Sequence, residues 1–531
     1  MTDDKILAVM ENTINRWMDV KQKLYIINKE IIAKPHFISL SYKEADVKTI
    51  DILNGAIVNN NGNFNDSKTG YSINVMIGDK KQGYGSRWEA YDHLPRDLEV
   101  LENLIDDKMD HVLKSALVSY ISNIKDIIRV KQERGNKFSQ LSNDPVAVYI
   151  EEKLNQKPIP ENLILTLKNW TKKISKLDYV DESHSILYSE HDSRRFVDSQ
   201  GRKILDHSFL GKVILTIDIR HNKNFEIPFG QSIYSAKGWD DINQKLEDIL
   251  SEIPKDIEQL RNASIPTSDQ YPVVFSAVSV GTIFHETSGG HNLSGRYIKK
   301  GFSTTFKNQL NKKIFPEFIT VVDDPQKKGA FGFYRFDEEG IEGKRVVLVE
   351  NGVLRNYILD RDSAVYFGKL SNGHSRGEWL CDEHASLPEP RVGNLEIISS
   401  NSVPDEELVE ILKKYCIENN IECGLYIDTD EGEVDVDTSE FHLYPHKAWK
   451  IFPDGRRERI TNFYVATYPY NLLKQIVVTG NSYKTRRGIC DAESGLIPTQ
   501  EIAPAAFIPR VTIQAEEPKI ETKRLLEKLK D

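Results

Sequence analysis

Cysteine is scarce in this sequence, long apolar runs are missing, and basic residues are outnumbered by acidic ones. Four cysteines in 531 residues are too few for a disulfide framework, so we expect a reducing, cytoplasmic location. No apolar run approaches the roughly 20 residues of a membrane-spanning helix, which predicts no membrane partner. The acidic N-terminal stretch MTDDKILAVMENTINRW lacks the features of a signal peptide. A net charge of −10 argues against nucleic acid as a partner.

Apolar spacing in the first half predicts a mixture of helices and antiparallel strands. Three- and four-residue steps predict an amphipathic helix from Asp4 to Ile32 and a long helix from Leu94 to Arg134. Alternating residues predict a strand meander between Phe37 and Met76 and a second strand group from Ser185 to Ser235. A further helix is predicted at Trp239–Leu260.

A polar linker after the last of these helices marks the predicted domain boundary, because 531 residues exceed what one core usually holds. Residues 1–263 are predicted to form an α+β N-terminal domain. Residues 270–531 contain mostly short strands separated by Gly, Asn and Asp turns, plus one helix at Glu406–Asn419. We therefore predict the α+β class, with a β-rich C-terminal domain built on a large antiparallel sheet that carries the metal site.

The segment Tyr271–Arg296, YPVVFSAVSVGTIFHETSGGHNLSGR, concentrates the groups that bind metals. A β-branched run predicts a buried strand, followed by a short helix with His285 and Glu286. Six steps along an unbroken α-helix would turn His291 about 120° away from His285. Both can bind one metal if the helix ends between them, which Gly289–Gly290 permits. Two imidazoles and a carboxylate predict a zinc site with Glu286 as general base for a metal-bound water.

This segment resembles the metal motif of the TldD/PmbA family, in which a strand, an HE pair, a second histidine and L-x-G follow in that order. The family pattern is HExxxH, whereas this chain has HETSGGH, one residue longer, and Arg296 stands where the family has an acidic residue. Further blocks similar to the family's occur in its order across the second half of the chain: VVDDP at Val321–Pro325, DEEGIEGKRVVLVENGVLRNYILD at Asp337–Asp360, SLPEPRVGN at Ser386–Asn394, GEVD at Gly432–Asp435, TGN at Thr479–Asn481 and GIC at Gly488–Cys490.

The resemblance implies an α+β N-terminal domain, a β-rich C-terminal domain and a third metal ligand, Cys490, which lies in the family's G-x-C context. A thiolate suits zinc, and we expect the nearby Arg486 and Arg487 to favour the ionised form. Active family members are zinc-dependent proteases that act on unfolded or small modified peptides and usually work as pairs of related subunits. The implied function is a Zn2+ metallopeptidase with a peptide substrate, as a homodimer or a heterodimer with a related subunit.

Other interpretations of the same residues stay open. One subunit of the family's pairs lacks the metal ligands, so the longer HETSGGH spacing also admits a non-catalytic, peptide-binding subunit with a degenerate site. Cleavage of a small-molecule amide uses the same chemistry. Gly373–Gly377 fits G-x-S-x-G, the nucleophile elbow of α/β-hydrolases, in turn-rich surroundings that do not favour it. Cys381–His384 is a rival ligand set, and Cys416 and Cys423 are predicted to be buried like small apolar side chains.

Overall fold

The computed structural model describes residues 4–517 apart from 27–28, 61–65, 80–82, 93–96, 131–140, 156, 224, 290, 303–304, 379–386, 436–439 and 493. The helices in these ranges are α1 (Lys5–Met18), α2 (Leu98–Val130), α3 (Glu161–Ile174), α4 (Trp239–Arg261), α5 (Ala277–Phe284), α6 (Gly295–Lys300), α7 (Arg361–Tyr366), α8 (Asp405–Glu418) and α9 (Pro469–Leu473), with a π-helical turn at His285–Gly289.

The strands of the N-terminal half are β1 (Gln22–Ile26), β2 (Lys29–Ala33), β3 (Pro35–Leu53), β4 (Ala56–Asn60), β5 (Asp66–Asp79), β6 (Gly83–Asp92), β7 (Val148–Ile150), β8 (Val180–Asp198), β9 (Lys203–Arg220) and β10 (Glu226–Ser235). The strands that follow are β11 (Asp269–Phe275), β12 (Ile319–Asp323), β13 (Val346–Glu350), β14 (Val353–Leu354), β15 (Ser375–Arg376), β16 (Glu389–Pro390), β17 (Asn394–Ser399), β18 (Ser402–Val403), β19 (Gly424–Asp428), β20 (Gly432–Val434), β21 (Phe441–Leu443), β22 (Lys447–Ile451), β23 (Arg457–Ile460), β24 (Phe463–Thr467), β25 (Val478–Ala492) and β26 (Gly495–Ala515).

The first large sheet consists of long antiparallel strands in the order β10-β9-β8-β3-β5-β6, with β4 on β3 and the short β7 parallel to β9. Helices α1 and α2 pack on one part of this sheet and α3 and α4 on another. Apolar side chains under these helices form two cores, as a sheet with one covered face requires. Within the described residues β10 is one of the two outer strands of this order, and its edge reaches the candidate site.

Two predicted elements of this half have different bounds in the structure. Helix α1 ends at Met18 rather than Ile32, because the Ile- and Tyr-rich stretch that follows pairs as the antiparallel strands β1 and β2. The meander predicted between Phe37 and Met76 begins with one strand of 19 residues, β3, which starts at Pro35. This strand stays continuous because it pairs with β5 on one side and β8 on the other.

The second large sheet has the order β14-β13-β12-β17-β26-β11-β19-β22-β23, with β18, β20, β21, β24 and β25 attached to it. Most of its pairings are antiparallel as predicted, but three in the described part are parallel: β11 with β19, β17 with β26, and β18 with β25. Strand β26 pairs with β11, β17, β24 and β25, so it lies at the centre of the core. The predicted α+β class is confirmed, with a mixed C-terminal sheet.

The link between the two sheets runs through α4 and the residues before β11, where the boundary between 263 and 270 was predicted. That boundary stays a prediction. Among the described residues, no helix combines the length and the apolar character needed to cross a bilayer.

Candidate metal centre

Helix α5 carries the first histidine to the site. Ser276 caps its N-terminus and accepts a hydrogen bond from the Ser279 amide at 3.1 Å, directly after the buried strand β11. A Cβ added at Gly281 would lie 3.0 Å from the Cβ of Glu501, so the glycine lets α5 approach β26 closely without displacing that side chain. The end of α5 therefore brings His285 over the middle of β26.

The helical path continues beyond α5 as a wider, π-helical turn. The α-helical segment ends at Phe284, and a π-helical turn follows from His285 to Gly289. Gly290, the second residue of the predicted break, lies outside the described residues. Beyond it, the His291 ring lies 5.9 Å from the His285 ring between centroids, at 80° between ring planes. The two imidazoles thus meet, through a wider turn than the predicted helix end.

Strand β25 supplies the third donor from the other end of the domain. The ligand atoms of His285, His291 and Cys490 all lie within 4.8 Å of one another, and all three side chains are buried. The Cys490 sulfur lies 3.8 Å from His291 Nε2. Imidazole nitrogens and thiolates are both zinc ligands, and catalytic zinc sites use three protein ligands, so the number and the chemistry of these donors fit that ion.

A buried carboxylate orients His285. Glu501 on β26 is fully buried and accepts hydrogen bonds from His285 Nδ1 at 2.7 Å and from Arg486 Nη1 at 2.8 Å. Burial alone would raise the pKa of Glu501, but Arg486 and His285 outweigh it and hold this pKa below its ordinary value. Because a carboxylate only accepts hydrogen bonds, Nδ1 carries the proton and Nε2 is left free for a metal.

The Cys490 thiol is surrounded by positive charge. Burial opposes its ionisation, yet Arg391, then His285 and His291, hold the pKa of Cys490 well below its ordinary value. Arg391 also donates from Nη2 to the Cys490 carbonyl at 2.6 Å. Arg486 was expected to favour the ionised form of the thiol. It lies four residues before Cys490 on the same strand, which is about 13 Å in an extended chain.

Both arginines named in that expectation have other partners. Arg486 lies opposite Glu501 in the β25–β26 pairing and binds it, and Arg487 pairs with Asp241 of α4. The thiolate is therefore favoured by Arg391 rather than by its neighbours in sequence.

Glu286 lies beside the donors without belonging to them. Its Oε2 lies 3.7 Å from His291 Nε2, and the side chain is buried. Burial raises the pKa of Glu286 above its ordinary value, although His285 and His291 oppose this. A carboxyl group with a raised pKa is better matched to proton transfer near neutral pH than an exposed one.

The donors open onto a cavity of about 640 Å³. Its walls come from the π-turn, from the start of β20, from β25, and from residues 230–232 of the edge strand β10. His285, Glu286, His291 and Cys490 all line it. A substrate in this cavity would therefore contact both the donors and an open sheet edge.

Residues that supported the other interpretations lie elsewhere. Arg296 forms a buried ion pair with Asp360, with Glu389 3.6 Å away, so its positive charge is neutralised outside the donor set. Cys381–His384 lies outside the described residues. Cys416 is buried, as expected, and so is Cys423.

The nucleophile elbow is absent at Gly373–Gly377. His374 has both ring nitrogens engaged, Nε2 with Asp323 Oδ2 at 2.9 Å and Nδ1 with the Asn372 carbonyl at 3.0 Å. Ser375 belongs to the two-residue strand β15 rather than to a strand–turn–helix. Ser375 Oγ forms no hydrogen bond with any described residue, so no described base contacts this hydroxyl, and the serine hydrolase interpretation is wrong.

Sequence reasoning missed Glu501 and Arg391 as parts of the site. The sequence contained a signal for Glu501, which stands directly before the apolar stretch IAPAAFIP. A carboxylate beside such a stretch is expected to be buried, and a buried carboxylate must find a partner. Arg391 lies in the SLPEPRVGN block, which was recognised without a role for its arginine.

The chain is similar to known proteins over this region and beyond it. Residues 268–515 match the PmbA/TldA metallopeptidase C-terminal domain. The Metalloprotease TldD homolog of Buchnera aphidicola subsp. Schizaphis graminum is 28% identical over 249 residues, 46% of this chain and 48% of that relative. The Zinc metalloprotease TldD homolog of Saccharolobus solfataricus is 22% identical over 453 residues, 84% of this chain and 89% of that relative.

The chain spans about half the length of the curated Buchnera relatives it matches. The fold is shared with TldE from Thermococcus kodakarensis, with a TM-score of 0.64 and 15% identity, over 96% of this chain and 100% of that one.

Proposed function

We propose that this chain, as a member of the TldD/PmbA family, is a zinc-dependent metallopeptidase that hydrolyses unfolded or small modified peptides. One observation carries the proposal. Two imidazoles and a thiol, the latter 199 residues along the chain from His291, converge within 4.8 Å beside a buried carboxylate and a cavity. Such convergence is unusual among side chains that serve only packing.

The roles of the residues follow from their positions. Zinc held by His285, His291 and Cys490 would act as a Lewis acid on the scissile carbonyl and lower the pKa of a water. Glu286, buried and 3.7 Å from His291, would accept a proton from the attacking water and return it to the leaving amine. Glu501 holds His285 in the tautomer that leaves Nε2 free.

The edge strand β10 supports a peptide as the substrate. Residues 230–232 line the cavity and belong to the outer strand of the N-terminal sheet. An extended peptide can pair with such an edge through main-chain hydrogen bonds, which do not depend on sequence. Most strands of a folded protein are already paired on both sides, so unfolded chains and short peptides are favoured.

The resemblance also suggests how the chain is assembled. We propose that it works as a homodimer or as a heterodimer with a related subunit, and the fold shared with TldE supports the existence of related partners. Sedimentation of the purified protein, alone and with a co-expressed relative, tests this.

Metal content and cleavage together test the peptidase. We expect zinc in the purified protein, lost from His291→Ala and from Cys490→Ala but kept by Cys416→Ala, the matched substitution of a buried cysteine outside the site. We expect Glu286→Gln to keep zinc and to lose cleavage of an unfolded peptide. Wild-type protein without metal would refute the peptidase and leave the non-catalytic, peptide-binding subunit. Wild-type protein that holds zinc but cleaves only small amides would favour the small-molecule alternative.

A further inference from the structure

The cleft continues beyond the metal centre. A second cavity of about 640 Å³ shares with the first the residues Gly230, Gln231, Ser232 and Tyr234 of β10, together with Asp430, His446, Arg486 and Arg487. The two cavities therefore adjoin along the β10 edge, and together they are called the cleft. A peptide paired with β10 near Glu286 would therefore extend into the second cavity.

Cations surround this far end of the cleft. Lys245 from α4 and the neighbouring Lys327 and Lys328 line the second cavity. The ammonium of Lys237 also lies close, 3.0 Å from where a Cβ at Gly329 would stand. The pKa of Lys245 is lowered, first by burial and then by nearby Arg487 and Lys237, which shows that like charges crowd here.

Carboxylates at this end do not balance the cations. Asp241 is shared between Arg487 and Lys245, the latter at 3.8 Å. Lys327 is neutralised by Glu396. Lys328 is exposed and forms no ion pair with any residue that the structure describes.

The remaining acids of the cavity wall are partly engaged within the protein. Asp428 accepts a hydrogen bond from Ser276 Oγ, and the negative charge of Asp430 acts on Arg486 and His446, which bind Glu501 and Glu431. In a chain whose net charge is −10, this end of the cleft is a local excess of positive charge.

We propose that the cationic end of the cleft, formed by Lys237, Lys245, Lys328 and Arg487, binds a carboxylate of the peptide substrate. The carboxylate is either the free C-terminus or the side chain of an Asp or Glu residue. Charge-assisted hydrogen bonds to ammonium groups in a partly enclosed site are stronger than neutral ones. This inference rests on the proposed peptidase function and adds the substrate class, an acidic or C-terminally free peptide.

The test uses four fluorescent versions of one unfolded peptide, with a free or amidated C-terminus and with Glu or Gln at an internal position. Their affinities are measured by anisotropy on the zinc-loaded Glu286→Gln protein, which holds substrate without turnover. We expect removal of the recognised carboxylate to weaken binding about tenfold. Weaker binding of the amidated peptides identifies the C-terminus as the recognised carboxylate, and weaker binding of the Gln peptides identifies the internal Glu. Salt should weaken only the peptides that carry that carboxylate.

Variants connect the preference to the lysines. In the same background, Lys245→Gln/Lys328→Gln should bind all four peptides alike, whereas Lys414→Gln, on the exposed face of α8, should keep the wild-type preference. Equal binding of the four peptides to the parent protein overturns this inference and leaves the peptidase proposal intact. A preference that survives the double substitution also overturns it. Failure of every peptide to bind overturns both.

Discussion

Replacement of Glu501 by Gln tests whether the carboxylate behind His285 serves the metal or only the fold. The substitution keeps the shape of the side chain and one acceptor oxygen but removes the charge that holds the His285 Nδ1 proton. Loss of such an outer partner typically weakens metal binding 10–100-fold, which is about 1.4–2.7 kcal/mol. We therefore expect Glu501→Gln to bind zinc at least about tenfold more weakly than the wild type.

Glu501→Gln should also lower the free energy of unfolding, by an amount that depends on the contacts of Arg486. Arg486 loses one charged partner but keeps two hydrogen bonds to the Asp430 carbonyl, at 3.2 and 2.8 Å. Its buried charge nevertheless loses a carboxylate partner, and we expect the metal-free protein to lose about 3–5 kcal/mol of unfolding free energy. Urea unfolding of the metal-free protein measures this, and competition with a chromophoric chelator measures zinc affinity.

A second buried histidine–carboxylate pair offers a matched control. His374 Nε2 lies 2.9 Å from Asp323 Oδ2, both side chains are fully buried, and neither lines the metal cavity. Asp323→Asn should cost comparable stability and leave zinc affinity unchanged. The reasoning is refuted if Glu501→Gln binds zinc as tightly as wild type, or if Asp323→Asn weakens it as much.

Substitutions at three further positions have expected outcomes. Burial lowers the pKa of His446, but its hydrogen bond with Glu431 raises it overall, so the pair's modest stabilisation is complete below about pH 6.5 and is lost as the pH rises through the raised folded value. Urea midpoints of His446→Gln and wild type should differ more at about pH 6 than at about pH 9. Gly332→Ala would place a methyl 2.0 Å from the Gly393 carbonyl oxygen and should cost about 1–3 kcal/mol in the same assay. Arg391→Met removes the hydrogen bond to the carbonyl of the thiol ligand and should weaken zinc binding, with Arg391→Lys recovering part of it.

Elements with strong periodicity were predictable in their bounds. Helix α4 was expected at Trp239–Leu260 and runs to Arg261, because buried residues recur at three- and four-residue steps even across Pro254. The prediction that the first helix reaches Ile32 was wrong because the periodicity after Met18 is ambiguous. The C-terminal part of the predicted helix has apolar residues at spacings that suit both structures, and pairing of β1 with β2 decided between them.

The candidate site was predictable where its residues are local. His285, Glu286 and His291 lie within one short motif, and Cys490 entered through the family resemblance. Glu501 and Arg391 depend on strand pairing between distant segments. Arg486 lies opposite Glu501 only because of the register of β25 on β26, which no local pattern specifies.

The widened turn after α5 has a consequence for how related chains can be recognised. A turn closed from residue i to i+5 accommodates one more residue than an α-helical turn, and this chain has one residue more than HExxxH between its histidines. A search pattern with a fixed interval would pass over such a chain. A pattern that tolerates the insertion and also requires the distant G-x-C would retain it, since the Cys490 sulfur lies 3.8 Å from His291 Nε2 in this chain despite the longer interval.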